Sequence, residues 1–144
     1  MSIRDANAKD FSAIRKLPVQ LASTAASTLT GKQYRELLLD PGAVLLVEDT
    51  EKKVSAFIAL NFSPAVDSPI RFLVIMVFAI DHFSMRLGIA SAMTEEAVKI
   101  AREGHSAALL INAGKLRPDM LGFYERLGFA GSPDCMIKKL DYQQ

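Results

Sequence analysis

The sequence predicts one α/β domain built on a mixed sheet, and three observations carry that expectation. Short β-rich runs alternate with stretches of helical periodicity along the chain, the pattern of helices packed on a sheet. Residues 72–80 are apolar at every position, so both faces of that strand should be covered, as in the middle of a sheet flanked by helices. Half of the 144 residues are hydrophobic and 23% are charged. That is enough apolar surface for a single core burying roughly 68% of what the unfolded chain exposes, and more than a disordered chain carries.

The elements follow in order. Residues 3–4 read as a short strand. Asn7 can cap a helix whose apolar positions Phe11, Ile14 and Leu17 recur at helical spacing up to Pro18, and helix is expected again over 19–26. Thr30 and Gln33 have the spacing of a capping box; Tyr34, Leu37 and Leu38 give the next helix one apolar face before Pro41-Gly42 stops it. The β-rich runs 43–47 and 54–62, joined by the polar stretch 48–53, predict an antiparallel hairpin with a loop of several residues. A second loop, 63–69, leads to the central strand over 70–80. A glycine-bearing turn follows, then a helix over 89–103 with Met93, Ala97, Ile100 and Ala101 on one stripe and Gly104 at its C-terminal end. Residues 107–112 form another strand. Pro118 opens a last helix that closes at Gly128, and residues 136–140 return as a strand. With no linker, repeat or low-complexity segment, residues 1–144 read as one domain.

Composition removes several functions. Seventeen basic residues against sixteen acidic ones leave a formal charge of +1 with no dense Lys/Arg block, so nucleic acid is not the expected partner. Cys135 is the only cysteine, which rules out an intrachain disulfide. Residues 1–10 carry acids where a signal peptide needs an apolar run, which predicts a cytoplasmic protein. The apolar run 72–80 is nine residues long, against about 20 for a membrane-spanning helix. It is a buried strand rather than an anchor, and no membrane association and no metal are expected.

The chemistry is concentrated between the central strand and the long helix, at Ile80-Asp81-His82-Phe83-Ser84-Met85-Arg86-Leu87-Gly88-Ile89-Ala90. A tight turn leading into a helix N-terminus presents unpaired N–H groups and the positive end of the helix dipole. Gly88, without a Cβ, lets that backbone approach a phosphate, and Arg86 can add a charged contact. Read by its residues alone, the turn fits an anion site and an ordinary strand-to-helix connection equally well.

Two motifs decide between these readings by resemblance. Met85-Arg86-Leu87-Gly88-Ile89-Ala90 resembles the acyl-CoA motif of the GNAT acetyltransferases, [Gln/Arg]-x-x-Gly-x-[Gly/Ala]; Gly88 and Ala90 match, and Met85 departs from the first position. Leu121-Gly122-Phe123-Tyr124-Glu125-Arg126-Leu127-Gly128-Phe129 resembles the same family's C-terminal helix signature, with Arg117 and Met120 where the family often has Asn and Ala. The resemblance covers nearly the whole chain. It implies a mostly antiparallel sheet of six or seven strands flanked by helices, with the central strands splayed for an acyl-CoA. It also implies acetyl transfer from acetyl-CoA, as cosubstrate, to an amine by direct attack.

The resemblance further assigns the pyrophosphate to Met85, Arg86, Leu87, Gly88, Ile89, Ala90 and Ser91, and the pantetheine arm to main-chain groups of Phe78, Ala79 and Ile80. Asn112 either bonds that arm or caps a loop. Tyr124 is the tyrosine whose hydroxyl assists the departing thiolate; its ordinary pKa of about 10 keeps it a neutral donor at pH 7. As an aromatic on an amphipathic helix it also suits plain core packing beside Phe123. Deprotonating an alkyl ammonium of pKa about 10.4 costs about 4.6 kcal/mol at pH 7, yet residues 72–80 contain no acid. The base is then Glu48, Asp81, His82 or a chain of waters, unless the substrate amine has a low pKa of its own. His105 reads as a solvent residue at a helix end, and Cys135 as a small buried hydrophobe.

The acceptor, a small-molecule or peptide amine, should be held by the early helices and residues 61–68, which carry no motif. An apolar sheet edge after Met136 offers a homodimer contact. The rival readings are a non-catalytic acyl-CoA-binding regulatory module of the same fold, and an acyltransferase acting on a protein N-terminus or an aminoacyl-tRNA; the missing basic patch speaks against the RNA version.

Overall fold

The hydrophobic runs become strands of one sheet in the computed structural model, which describes residues 2–22, 28–63, 71–111, 118–132 and 135–140. In chain order the elements are β1 (Ile3–Asp5), α1 (Phe11–Ile14), β2 (Val19–Gln20), α2 (Gly31–Leu39), β3 (Ala43–Thr50), β4 (Lys53–Ser63), β5 (Arg71–Ile80), α3 (Ile89–Glu103), β6 (Ser106–Ile111), α4 (Pro118–Arg126), β7 (Ala130–Ser132) and β8 (Cys135–Lys139). The sheet order is β1-β3-β4-β5-β6-β8-β7, with β2 added against β5. Only β5 and β6 run parallel; the other pairs are antiparallel. The described sheet therefore has eight strands, not six or seven. β2 and β7, of two and three residues, are too short to show a period of two.

Three local expectations are corrected. Residues 19–26 were expected as helix, but Val19 and Gln20 pair with Ile80 and Ala79 as strand, because the edge of β5 offers ladder bonds that a short helix behind Pro18 cannot match; residues 23–27 lie outside the described residues. The expected loop 48–53 is a two-residue turn. β3 and β4 pair as far as Thr50 opposite Lys53, and Glu51 and Lys52 take φ of 55° and 63°, the left-handed pair that a tight hairpin demands even without glycine. The strand after Met136 is not an edge. β8 lies between β6 and β7, so among the described strands the free edges belong to β1, β7 and the short β2.

The core lies on both faces of the sheet. On one face α3 contributes Ile89, Ala90, Met93, Ala97, Val98 and Ala101 to a cluster that includes Ile58, Leu60, Leu73, Ile75, Phe78 and Tyr124. On the other, Ile14, Leu17, Leu29 and Tyr34 cover Phe57, Ala59, Val77 and Ala79. Fully burying a large apolar side chain is worth about 1.5–3 kcal/mol, which makes the continuous apolar run of β5 the centre of the fold. Gly104 serves this packing: a Cβ there would stand 2.5 Å from the Phe62 ring. The left-handed residue after α3 is His105, with φ of 58°.

β5 also carries an irregularity that positions the site. Ala59 pairs with Val77 and Leu60 with Ile75, so Met76 is an extra residue without a partner on β4, a β-bulge. The bulge reverses the alternation of β5. Leu73 and Ile75 face α3 before it, and Phe78 and Ile80 do so after it, while Val77 and Ala79 turn to the face of α1 and α2.

Candidate active site

β6 leaves β5 where the bulge begins. Among the described residues the parallel pairing runs from Arg71 opposite Ser106 to Ile75 opposite Ile111. β4 keeps one edge of β5 paired as far as Ile80, while Val19 and Gln20 of β2 lie opposite Ile80 and Ala79 on the other.

Beyond Ile80 the chain turns into α3. A 3₁₀ turn, Ser84–Leu87, is held by Asp81, whose Oδ1 accepts the Ser84 N–H at 2.7 Å. Gly88 follows with φ of 75°, and no side chain caps the helix it opens. Ala92 N–H donates to the Gly88 carbonyl at 3.0 Å; the amides of Ile89, Ala90 and Ser91, one turn earlier, have no acceptor within the helix. A Cβ built on Gly88 would find no atom within 4 Å. The glycine is therefore required by its left-handed backbone rather than by crowding. Met85 packs against the α3-side core. Its side chain thus serves the core, which is why an apolar residue stands at this position. Phe83 and Leu87 are exposed on the turn. Ile89 and Ala90 bury their side chains, so main-chain groups are what they can offer a ligand.

The edge of β5 beyond the bulge is paired within the chain. Besides the register of β2 with Ala79 and Ile80, Leu21 N–H donates to the Phe78 carbonyl at 2.7 Å. Ala79 pairs with Phe57 on the β4 side. Asn112 lies outside the described residues.

Tyr124 reaches this edge from α4. Its side chain is fully buried, its hydroxyl donates to the Leu21 carbonyl, and its ring meets Phe123 and Phe129 edge-on at 5.0 and 5.5 Å between centroids. Burial pushes the phenol well above its ordinary pKa, so it is a neutral donor across the physiological range. The position is set by a Schellman motif: Phe129 N–H donates to the Tyr124 carbonyl and Gly128 N–H to that of Glu125, both at 3.0 Å, with Gly128 at φ of 94°. Lys138 Nζ caps the Leu127 carbonyl at 2.7 Å. The spacing of the tyrosine to the Gly-Phe pair is thus a helix-ending rule, and the hydrophobic contact that accompanies it is the one between Tyr124 and Phe129.

The residues weighed as general base are dispersed. Glu48 is fully buried on β3, where its carboxylate accepts from the Thr50 and Ser55 hydroxyls and, at 3.4 Å, from Ser2 N–H; β4 separates it from β5. Asp81 caps the 3₁₀ turn, His82 is exposed beside it, and His105 is exposed behind α3. Cys135 is half-buried on β8. Carboxylates appear instead on α2 and at its C-cap, Glu36 and Asp40. A cavity of about 430 Å³ is lined by Thr28, Leu29, Gln33, Glu36, Leu37, Asp40, Met76 and Val77, and so opens directly on the bulge. Gln33, Glu36, Leu37 and Asp40 follow the i, i+3, i+4, i+7 rule, a helix-face signal present in the sequence that could have singled out Glu36 and Asp40. Among the described residues, no group of three or more His, Cys, Asp or Glu could hold a metal ion, and no helix is long and apolar enough to cross a membrane.

The fold has counterparts among known proteins. The family model of the acetyltransferase (GNAT) family matches residues 7–129. The chain belongs to the GNAT family. Solved structures that this GNAT chain resembles include a transcriptional regulator from Bacillus halodurans C-125, 21% identical with a TM-score of 0.74, the match covering 91% of this chain and 93% of that one. An aminoglycoside antibiotic 6'-N-acetyltransferase from Acinetobacter haemolyticus is 16% identical, with coverages of 100% and 97% and a TM-score of 0.74. A ribosomal-protein-alanine N-acetyltransferase from Brucella melitensis biovar Abortus 2308 is 21% identical, with coverages of 100% and 96% and a TM-score of 0.68. At these identities the likeness is one of fold. A search by sequence among curated proteins gave no match.

Proposed function

We propose that this GNAT chain transfers the acetyl group of acetyl-CoA to a primary amine held in the cavity between α2 and the β5 bulge. The observation that carries the reading is the coincidence of three features at one end of β5. Its described pairing with β6 ends at Ile75, it bulges at Met76, and it leads through Gly88 into an uncapped helix N-terminus. In this reading Met85, Arg86, Leu87, Gly88, Ile89, Ala90 and Ser91 receive the pyrophosphate, chiefly through main-chain N–H groups and the helix dipole. Phe78, Ala79 and Ile80 align the pantetheine arm, and Tyr124 protonates or hydrogen-bonds the leaving thiolate. Bound acetyl-CoA supplies the activated acyl group; the protein positions it and excludes water.

The cavity favours a cationic acceptor. Leu29, Leu37, Met76 and Val77 give it apolar lining, Glu36 and Asp40 add carboxylates, and no Lys or Arg is among its described lining residues. An ammonium ion is attracted there and must lose its proton before attack. Glu36 is the better placed to accept it, because Asp40 already takes the Gly42 N–H at 2.8 Å. The test is release of CoA from acetyl-CoA across a panel of small amines and peptide N-termini. Release dependent on one class of amine is the expected result; binding of CoA without release from any amine overturns it.

That second outcome is the non-catalytic module. It draws on one specific observation: the edge of β5 and the Tyr124 hydroxyl are already bonded within the chain.

A further inference from the structure

The edge of β5 that β6 gives up after Ile75 is not bare. Val19 lies opposite Ile80, Gln20 opposite Ala79, and Leu21 donates its N–H to the Phe78 carbonyl at 2.7 Å. Leu21 is fully buried and Ala22 is buried beside it. The Leu21 carbonyl in turn accepts the Tyr124 hydroxyl. One short stretch of chain therefore holds the main-chain groups and the phenol that the acetyl-CoA reading assigns to the acyl donor.

We propose that residues 19–22 are a built-in competitor of the acyl donor: they occupy the donor's place on β5, and donor binding proceeds by exchanging them off that edge. The inference rests on the acetyl-CoA reading above. Three physical points support it. An edge strand's N–H and C=O groups bind one partner strand at a time, so β2 and an amide-bearing arm cannot use Phe78 and Ile80 together. β2 has only two residues, is held along one edge, and follows Pro18, which makes it a local unit of low stability compared with the long β4–β5 ladder on the opposite side of the same strand. The Tyr124 hydroxyl has Leu21 as its acceptor in the resting state, so departure of the segment frees the donor proton at the moment the thiolate needs one. The exchange leaves no main-chain group of β5 unpaired, because the arm's amides replace those of β2.

The consequence is a conformational tax on donor binding. Only the fraction of molecules with β2 released is competent, and the apparent affinity for CoA falls by that fraction. A change that weakens the segment's hold raises affinity, the opposite of what loss of a ligand contact does.

The experiment uses the full chain with CoA itself as the probe. Amide hydrogen exchange, read residue by residue, is compared with and without saturating CoA, and CoA affinity is measured by calorimetry for the parent, Leu21→Ala and Leu21→Pro. The proline removes the N–H that bonds Phe78; the alanine keeps it but gives up the buried side chain, so the test survives if one variant does not fold. The expected result is about tenfold or greater acceleration of exchange at Leu21 when CoA is bound, together with affinity raised about fivefold or more in either folded variant. If CoA binds the parent while Leu21 stays as protected as before and neither variant binds tighter, the exchange is overturned and the acetyl-CoA reading stands. If CoA binds neither the parent nor the variants, both fall together.

Discussion

At the scale of single residues, Gly88 and Tyr124 decide most. Gly88 has open space where a side chain would go, so Gly88→Asp keeps the packing intact. Its backbone cost is about 1 kcal/mol, because Asp tolerates the left-handed region better than most residues and its charge suits a helix N-terminus. The same charge opposes a phosphate. CoA affinity should fall at least tenfold by calorimetry while the melting temperature drops only a few degrees; a folded variant with parental affinity removes the turn from the site. Tyr124→Phe keeps the ring against Phe123 and Phe129 and deletes only the hydroxyl bonded to Leu21. Turnover on an accepted amine should fall about 10²-fold, the usual scale for a positioned acid, with CoA affinity equal to the parent's or raised by up to about fivefold as the hold on Leu21 weakens, and stability lower by about 1 kcal/mol for the lost hydrogen bond. Parental turnover would reduce Tyr124 to its place in the helix-ending motif.

At the scale of elements, backbone geometry sets the boundaries more tightly than composition does. α2 starts where Thr30 Oγ1 accepts the Gln33 N–H at 3.1 Å and Gln33 Oε1 accepts that of Thr30 at 2.9 Å, the reciprocal capping box that the spacing predicts. The β3–β4 turn is the reverse case, since Glu51 and Lys52 are poor residues for φ near +60° and their polarity reads as a longer loop. Lys52 at φ of 63° should therefore be a site of gain. Lys52→Gly is expected to stabilise the chain by about 0.5–1 kcal/mol, because relief of the left-handed strain exceeds the added freedom of the unfolded chain. Urea unfolding measures it, and an unchanged or lower midpoint would show that the turn is unstrained.

At the scale of the whole molecule, one polar network ties the start of the chain to the sheet. Arg4 bonds Asp10 with two donors at 2.8 and 2.9 Å and reaches Asp49 at 3.0 Å, joining β1, the turn before α1 and β3. The Arg4 guanidinium holds the Asp10 carboxyl below its ordinary range, with the Asn7 N–H assisting. A depressed native pKa gives stability that is complete above the ordinary carboxylate value of about 3.9 and is lost as pH falls through the native value. Asp10→Asn should cost about 1 kcal/mol at neutral pH, since Arg4 is partly exposed and its bonds are screened. It should also flatten the fall in stability below about pH 4. Urea midpoints from pH 7 to pH 2 for both proteins check the slope; parallel curves would exclude Asp10 as a source of acid lability.

The sequence by itself determined what depends on neighbours along the chain. The bounds of α3, the capping box at Thr30, the glycine turn at Gly88 and the Tyr124 to Gly128-Phe129 spacing are rules of a few consecutive residues, and each is legible without a partner. The fully apolar β5 likewise announced a central strand, because burial on both faces leaves no polar alternation. Only the tertiary structure decided what depends on residues far apart. The bulge at Met76 comes from register against β4, and the strand state of Val19 and Gln20 from the free edge of β5. The burial of Tyr124 against Leu21 joins residues 103 positions apart, and Glu36 and Asp40 gain a cavity only when α2 packs over Met76 and Val77. Local propensity is weak where a long-range ladder or packing surface competes with it, and the parts of the site that would meet a donor and an acceptor are assembled from such long-range pairings.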